Sequence, residues 1–190
     1  MLRTICRYIF NKQGWKIRNP MPEDIGSCVV VGAPHTSNWD FVYAVGAWDL
    51  MGITNLRFTI KKEWMIFPFK LFLEPLGAIG IDRSPKTPGD QRPSMVDEMA
   101  KLFAPGQPKT TLLVTPEGTR SPVKRWKRGF YHVALKSNTP ICLAYLDFKK
   151  REAGIGMVIY PSGDIDKDFR KIWDFYNQVT PYNPDNYIPL

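Results

Sequence analysis

The sequence predicts an α/β fold: one domain, residues 1–190, with a mostly parallel central sheet flanked by helices. Apolar runs of strand length alternate along the chain with segments of helical periodicity, which is the pattern of such a sheet. A chain of 190 residues with 44% hydrophobic residues can bury a substantial core but has little room for a second domain.

Six segments have the length and composition of strands, and four have helical patterns. The predicted strands are 28–33, 56–60, 78–82, 111–115, 140–147 and 155–160. The predicted helices are 40–51, 93–103, 127–136 and 166–178. The clearest helix is 93–103, where Met95 and Met99 follow helical spacing and are interpreted as core residues, and where Asp90 or Pro93 can begin the helix. Residues 181–190 form a proline-containing tail that we predict to be irregular.

The first predicted strand leads into a loop that carries a histidine and a carboxylate, His35 and Asp40. A neutral imidazole can take a proton from a hydroxyl near pH 7, and a carboxylate on its other nitrogen fixes the tautomer. Residues five apart on one helix lie roughly 140° apart and would not meet. We therefore predict His35 in the turn and Asp40 in the first turn of the next helix, facing back. The alternative is a helix-capping contact or a solvated loop.

A second polar turn, 116–121, follows the predicted strand 111–115 and reads Pro-Glu-Gly-Thr-Arg-Ser. Its glycine permits close approach of a backbone, and the planar guanidinium of Arg120 suits a phosphate. The alternative is a surface turn in which Glu117 and Arg120 pair with each other. Both loops are predicted at the carboxyl ends of strands, where open α/β sheets usually bind ligands.

Together the two loops resemble the motifs of the glycerolipid acyltransferase family, whose best-known members are the 1-acylglycerol-3-phosphate acyltransferases. The family's first block, a histidine and an aspartate with four residues between them, falls on His35 and Asp40, and its third falls on 116–121. The second and fourth blocks resemble 77–83 and 139–143.

The four blocks occur in the family's order, so the resemblance spans roughly residues 27–148. Three positions depart from the family's pattern. Gly80 stands where phenylalanine is frequent, Thr115 where an aromatic residue is common, and Leu143 where a second proline is usual. These departures concern the acyl acceptor more than the reaction.

The resemblance implies an enzyme, an O-acyltransferase of phospholipid synthesis. It would move a fatty acyl chain from acyl-CoA or acyl carrier protein directly to a hydroxyl of a lysophosphatidate-like acceptor, without an acyl-enzyme. His35 would be the general base, and Asp40 would hold its imidazole. The substrate-binding residues implied are Arg83, Glu117, Gly118, Thr119 and Arg120. Arg83 and Arg120 would hold the acceptor's phosphate, while Glu117 would position Arg120, contact the glycerol or have a structural role.

Two other classes of function compete with this one. The net charge of +8 and a pI near 9.4 also suit a non-catalytic protein that binds lipid or nucleic acid. The basic cluster 124–128 is the sharpest patch for nucleic acid, but no RNA-binding or helix-turn-helix signature accompanies it. The pair His35 and Asp40 argues against a catalytically inactive lipid-binding protein, because lipid binding alone does not require a general base. Within the enzyme class, the alternative is another lysolipid or an aminolipid acceptor.

No apolar run approaches the roughly 20 residues that span a bilayer, and the amino terminus lacks the apolar core of a secretory signal. Residues 1–16 mix apolar residues such as Leu2 and Phe10 with basic ones, as an interfacial helix does, and 64–73 is apolar on nearly all sides. The alternative is that both segments complete the core. We expect peripheral attachment to an anionic membrane surface, at the cytoplasmic face in a bacterium.

The three cysteines are odd in number and scattered, which favours a reducing compartment over a disulfide framework. No clustered cysteines or histidines indicate a metal, and no glycine motif indicates a nucleotide cofactor. We therefore expect no metal and no cofactor besides the acyl donor as co-substrate.

Overall fold

The computed structural model describes residues 2–81 and 94–189, and in those ranges the chain forms a seven-stranded sheet and six α-helices. The strands are β1 (Lys16–Asn19), β2 (Cys28–Gly32), β3 (Leu56–Lys61), β4 (Ala78–Ile81), β5 (Thr111–Val114), β6 (Ile141–Asp147) and β7 (Glu152–Ile159). The helices are α1 (Leu2–Lys12), α2 (Trp39–Leu50), α3 (Phe69–Leu73), α4 (Met95–Ala100), α5 (Gly129–Lys136) and α6 (Ile165–Tyr176).

The strand order is β1-β7-β6-β2-β5-β3-β4. The five strands from β6 to β4 run parallel, β7 is antiparallel to β6, and β1 is parallel to β7. Strand β2 lies in the middle, and its first four residues are buried, which is typical of a strand covered on both faces. The predicted α/β fold with a mostly parallel sheet is therefore confirmed, and all six predicted strands are present.

The sheet separates two apolar layers because alternate residues of a strand point to opposite faces. On one face, Val29 and Val31 of β2 belong to a core cluster with buried residues of α5 and α6. On the other face, Val30 belongs to a cluster with Cys28 and Cys142. These two cysteines are free, as is the buried Cys6 of α1.

Helix α1 packs one apolar face on α2. Phe10 is completely buried and Cys6 is 2% exposed. Gly46 of α2 makes this contact possible, since a Cβ there would lie 2.8 Å from the carbonyl oxygen of Cys6. Phe10 is therefore not part of an interfacial surface of residues 1–16, whereas Leu2 and Ile5 are exposed.

The helix predicted over 93–103 is shorter in the structure and begins at Met95. Ser94 caps it: the Ser94 Oγ accepts a hydrogen bond from the Asp97 amide at 3.1 Å, and the Asp97 carboxylate accepts one from the Ser94 amide at 3.2 Å. Met99 is 4% exposed and lies in the core, whereas Met95, in the first turn, is 39% exposed. The interpretation of Met95 as a core residue is therefore wrong. The starts predicted at Asp90 or Pro93 lie outside the described residues.

The segment 64–73 contains five strongly exposed apolar side chains, so these five do not complete the core. They are Ile66, Phe67, Phe69, Leu71 and Phe72, and Phe67 is 79% exposed. In the described ranges, no helix combines the length and the apolar character needed to cross a membrane. We refer to Ile66–Phe72 as the exposed apolar segment.

Candidate active site

The two predicted loops meet at one edge of the sheet. Strands β2 and β5 are adjacent and parallel, so the loops that follow them leave the sheet side by side. His35 lies three residues beyond the end of β2, and Glu117 lies three residues beyond the end of β5. The carboxyl edge of the sheet therefore holds the candidate site, as the position of the motifs predicts.

The side chains of His35 and Asp40 face each other across this loop. The distance from His35 Nδ1 to Asp40 Oδ2 is 3.0 Å, with His35 before α2 and Asp40 in its first turn. Asp40 Oδ2 also accepts hydrogen bonds from the amides of Thr36 and Ser37, at 2.8 and 2.9 Å. Both amides precede Asn38, the N-cap residue of α2, and no side chain caps this helix, so the contact is not a helix cap. The carboxylate fixes the loop before α2 and orients the imidazole.

This contact sets which ring nitrogen of His35 can act on a substrate. Because the carboxylate of Asp40 is an acceptor, Nδ1 carries the proton and Nε2 keeps its lone pair. The His35 side chain is 19% exposed and that of Asp40 is 8% exposed. A hydroxyl that reaches this edge can give its proton to Nε2, while Asp40 stabilises the resulting imidazolium.

Glu117 joins the two loops. It is buried, and its Oε2 accepts a hydrogen bond from the His35 amide at 2.8 Å. Burial raises the pKa of the Glu117 carboxyl from 4.5 to about 8; the His35 hydrogen bond opposes this shift, and the charge of Asp40 adds to it. Glu117 is therefore mostly protonated at pH 7. The alternative of a surface pair is wrong, because Arg120 is exposed and no ion pair joins these two described residues.

Gly118 lies in the left-handed region, with a φ of +70°, and is covered by Lys127. A Cβ at Gly118 would lie 2.7 Å from the Lys127 Nζ, and the Lys127 amide donates to the carbonyl of Pro116 at 2.9 Å. Lys127 thus brings a positive charge to the turn. It follows the third motif in the resemblance, but we did not predict it as a binding residue, because sequence spacing alone does not show that it folds back.

The other predicted binding residues have different places. Thr119 and Arg120 are exposed on the same turn as Gly118, where a ligand can reach them. Arg83 lies outside the described residues. Among residues 2–81 and 94–189, no group of three or more His, Cys, Asp or Glu side chains is placed to hold a metal ion.

Tyr176 of α6 was not predicted as part of the site, although its helix was. Its hydroxyl lies 2.7 Å from the carbonyl oxygen of Val31 and 3.0 Å from that of Ala144. Burial raises the pKa of Tyr176 well above 10, so the hydroxyl keeps its proton and can donate. Tyr176 therefore ties α6 to the carboxyl end of β2 and to the middle of β6. The sequence predicts this helix, but it predicts neither the burial of Tyr176 nor the two carbonyl oxygens that its hydroxyl contacts.

An α/β sheet with a histidine and carboxylate pair beside a basic turn is the arrangement of an enzyme that removes a proton from a bound substrate. The sequence model of the acyltransferase family matches residues 16–146. This chain belongs to that family, the glycerolipid acyltransferases, and is an acyltransferase. No curated protein matches the chain, and no solved structure does. The matched segment includes both loops and ends before β7, α6 and the tail.

Substitution of Glu117 by Gln tests the buried carboxyl. Above pH 4.5 the unfolded chain loses this proton, whereas the folded protein keeps it until about pH 8, so the free energy of unfolding of the wild type falls over this interval. Gln keeps an acceptor for the His35 amide but has no proton to lose. We expect Glu117→Gln to gain stability relative to the wild type between pH 5 and 8, by up to roughly 4 kcal/mol.

Urea unfolding at pH 5 and pH 8 measures this difference. The matched control is Glu23→Gln, which changes an exposed glutamate in the same way. If Glu117→Gln and the wild type show parallel pH dependence, Glu117 is ionised in the folded protein and the assignment is wrong.

Proposed function

We propose that this acyltransferase moves a fatty acyl chain from a thioester, acyl-CoA or acyl carrier protein, to a hydroxyl of a lysophosphatidate-like acceptor. The observation that carries the proposal is the 3.0 Å contact between His35 Nδ1 and Asp40 Oδ2 at the carboxyl edge of the sheet. His35 Nε2 takes the proton of the acceptor hydroxyl as its oxygen attacks the thioester carbon. The carbon–sulfur bond breaks, the thiolate takes the proton from the imidazolium, and the products are an ester and a thiol.

The second loop supports a negatively charged acceptor. Arg120 is exposed on this turn, and the ammonium group of Lys127 lies over Gly118. Because Glu117 has a pKa of about 8, it adds no full negative charge beside these cations at pH 7. A phosphate can therefore bind at the turn while the acceptor's free hydroxyl lies near His35. The family resemblance adds Arg83 as a second arginine for this phosphate.

The two carboxyl oxygens of Glu117 bear on its role in the site. Its Oε1 is buried and has no hydrogen-bond partner among the described residues, while Oε2 accepts from His35. A buried polar atom is stabilised by a partner. Because Oε1 is closed to solvent, a glycerol hydroxyl of the acceptor cannot reach it without movement of the loops. The hydrogen bond from the His35 amide therefore favours a structural role for Glu117 over contact with glycerol or positioning of Arg120.

The exposed apolar segment is a better candidate than α1 for contact with a membrane, because of its position relative to the His35 loop. It follows β3, which is parallel to β5, so it begins at the same edge of the sheet as the His35 loop. Lys62 and Lys70 are exposed in and beside this segment, and the chain carries a net charge of +8. We propose that the segment contacts an anionic lipid surface, from which the acceptor reaches His35. This is compatible with peripheral attachment at the cytoplasmic face.

Substitutions of His35 and Asp40 test the proposed role of His35 as the general base. We expect His35→Ala to lower kcat by about 100- to 10,000-fold, since that is the range of general base catalysis. Asp40→Asn should lower it by a similar factor, because an amide can hold the wrong tautomer of the imidazole. The assay is acyl transfer from labelled acyl-CoA and acyl carrier protein to a panel of glycerol phosphates, lysolipids and aminolipids, resolved by mass.

The matched control is His132→Ala, which removes an exposed histidine of α5. Near wild-type turnover by folded His35→Ala would refute the mechanism. A product formed with a different lysolipid or an aminolipid, and not with a lysophosphatidate, would refute the acceptor and leave the base intact.

Arg120→Ala tests the phosphate contact. We expect the KM for a phosphorylated acceptor to rise by about tenfold to 150-fold, with a smaller effect on the acyl donor, because one charge-assisted contact contributes ~1.5 to 3 kcal/mol. Arg83→Ala should behave in the same way. Steady-state kinetics with each substrate varied in turn gives the values, and Arg18→Ala, an exposed arginine of the edge strand β1, is the control. A loss confined to the donor would assign these arginines to the thioester substrate instead.

The double substitution Phe67→Ser and Phe72→Ser tests the membrane contact. We expect its affinity for anionic vesicles to fall by roughly tenfold to 100-fold, since insertion of each ring contributes about 1 kcal/mol or more. Tyr160→Ser, which changes a 70% exposed aromatic residue outside the segment, should bind like the wild type. Vesicle sedimentation at low and high salt measures both. Equal binding to neutral and anionic vesicles, or unchanged binding by the double variant, would refute the assignment.

A further inference from the structure

The tail beyond α6 lies against the His35 loop, although it is outside the segment matched by the family. The Asn183 amide donates a hydrogen bond to Thr36 Oγ1 at 3.1 Å, and the Asn183 side-chain amide donates to the Thr36 carbonyl at 3.2 Å. The Asn186 side chain donates to the same carbonyl at 3.4 Å. Two asparagines of the tail thus hold one residue of the loop.

Thr36 connects these contacts to the proposed base. It directly follows His35, is 3% exposed, and donates its own amide to Asp40 Oδ2 at 2.8 Å. The tail holds the hydroxyl and the carbonyl of Thr36, and Asp40 holds its amide. Movement of Thr36 would therefore change the position of the carboxylate that orients the imidazole.

The tail is itself fixed on both sides of Asn183. The Thr180 carbonyl accepts a hydrogen bond from the Phe148 amide at 2.9 Å, and the Tyr182 ring packs edge-on against Phe148 at 5.1 Å between ring centres. Beyond Asn183, the Tyr187 hydroxyl donates to Asn177 at 3.1 Å. A single 3₁₀ turn, Pro184–Asn186, brings the side chains of both asparagines to Thr36.

We propose that Asn183, supported by Asn186, is a positioning residue for acyl transfer. It contacts no reacting atom and acts through Thr36, keeping Asp40 and His35 in contact. The inference rests on the proposed function for its kinetic consequence, while the structural link from the tail to His35 does not depend on the substrate. Small displacements of a catalytic group lower rates disproportionately, so one lost hydrogen bond can matter here.

The test variant is Asn183→Asp in the full chain. Its carboxylate would place an acceptor against the Thr36 carbonyl, where the wild type has a donor. We expect kcat to fall by about tenfold with the KM of donor and acceptor unchanged, because binding groups are untouched. Asp185→Asn, the reverse exchange at an exposed neighbour in the tail, should leave both values unchanged. Thr36→Val, which removes the hydroxyl, should lower kcat by a similar factor. Thr36→Ser, which keeps the hydroxyl, should have a kcat close to that of the wild type.

A second measurement does not require activity. The chain has two histidines, so the His35 imidazole can be assigned by nuclear magnetic resonance, with His132→Gln identifying the other signal. We expect the Nδ1 proton of His35 to exchange with solvent about tenfold faster in Asn183→Asp. If that variant does not fold, Asn183→Ala is measured in its place.

The outcomes separate the two proposals. If the wild type transfers acyl groups to no acceptor, the proposed function fails, and the exchange rate still decides whether the tail positions His35. If the variant leaves both kcat and the exchange rate unchanged, the inference is wrong, even if its melting temperature falls, since the contact is then only structural.

Discussion

The site depends on a single carboxylate oxygen. Asp40 Oδ2 accepts from the amides of Thr36 and Ser37 and from the ring of His35, all within 3.0 Å. Three donors converge there because the loop turns back on the first turn of α2, where the amino end of the helix also favours negative charge. Without this carboxylate two buried amides would lose their partner, and the loop that carries the imidazole would lose its shape. The same carboxylate oxygen therefore holds the conformation of the loop and orients the imidazole that would accept the proton.

The sequence predicts the parts of the structure that depend on local order along the chain. Alternation of apolar runs and helical patterns predicts the sheet, and the five-residue spacing predicts that His35 lies outside the helix. The sequence does not predict the partners of groups that tertiary packing brings together. Glu117 has an arginine three residues away, yet it contacts an amide 82 residues away because the turn buries it beside β2. Burial, rather than sequence distance, selects its partner.

The same limit explains the two apolar segments. The apolar face of an amphipathic helix packs against another apolar surface. The periodicity of the sequence does not show whether that surface is a lipid or another helix. For α1 the surface is α2, and Gly46 admits the close contact. In the segment after β3, by contrast, five apolar side chains are strongly exposed among the described residues. Gly80 stands where the family usually has phenylalanine, and its surroundings explain this departure. A Cβ at Gly80 would lie 2.8 Å from the Met65 Cγ, so a larger side chain would displace Met65, which directly precedes the exposed apolar segment.

The order of the strands in the sheet also determines where the chain can be truncated without exposing its core. The segment that matches the family ends at residue 146, inside β6 (Ile141–Asp147), and β7 pairs with β6 from Ile141 to Asp147. A fragment cut at that boundary would leave β6 as an unpaired edge, remove the tyrosine that contacts the Val31 carbonyl, and expose the core face that α6 covers. Unprotected strand edges and apolar faces promote aggregation. A fragment that keeps β6 paired with β7 and the core covered therefore extends beyond the matched segment and through α6.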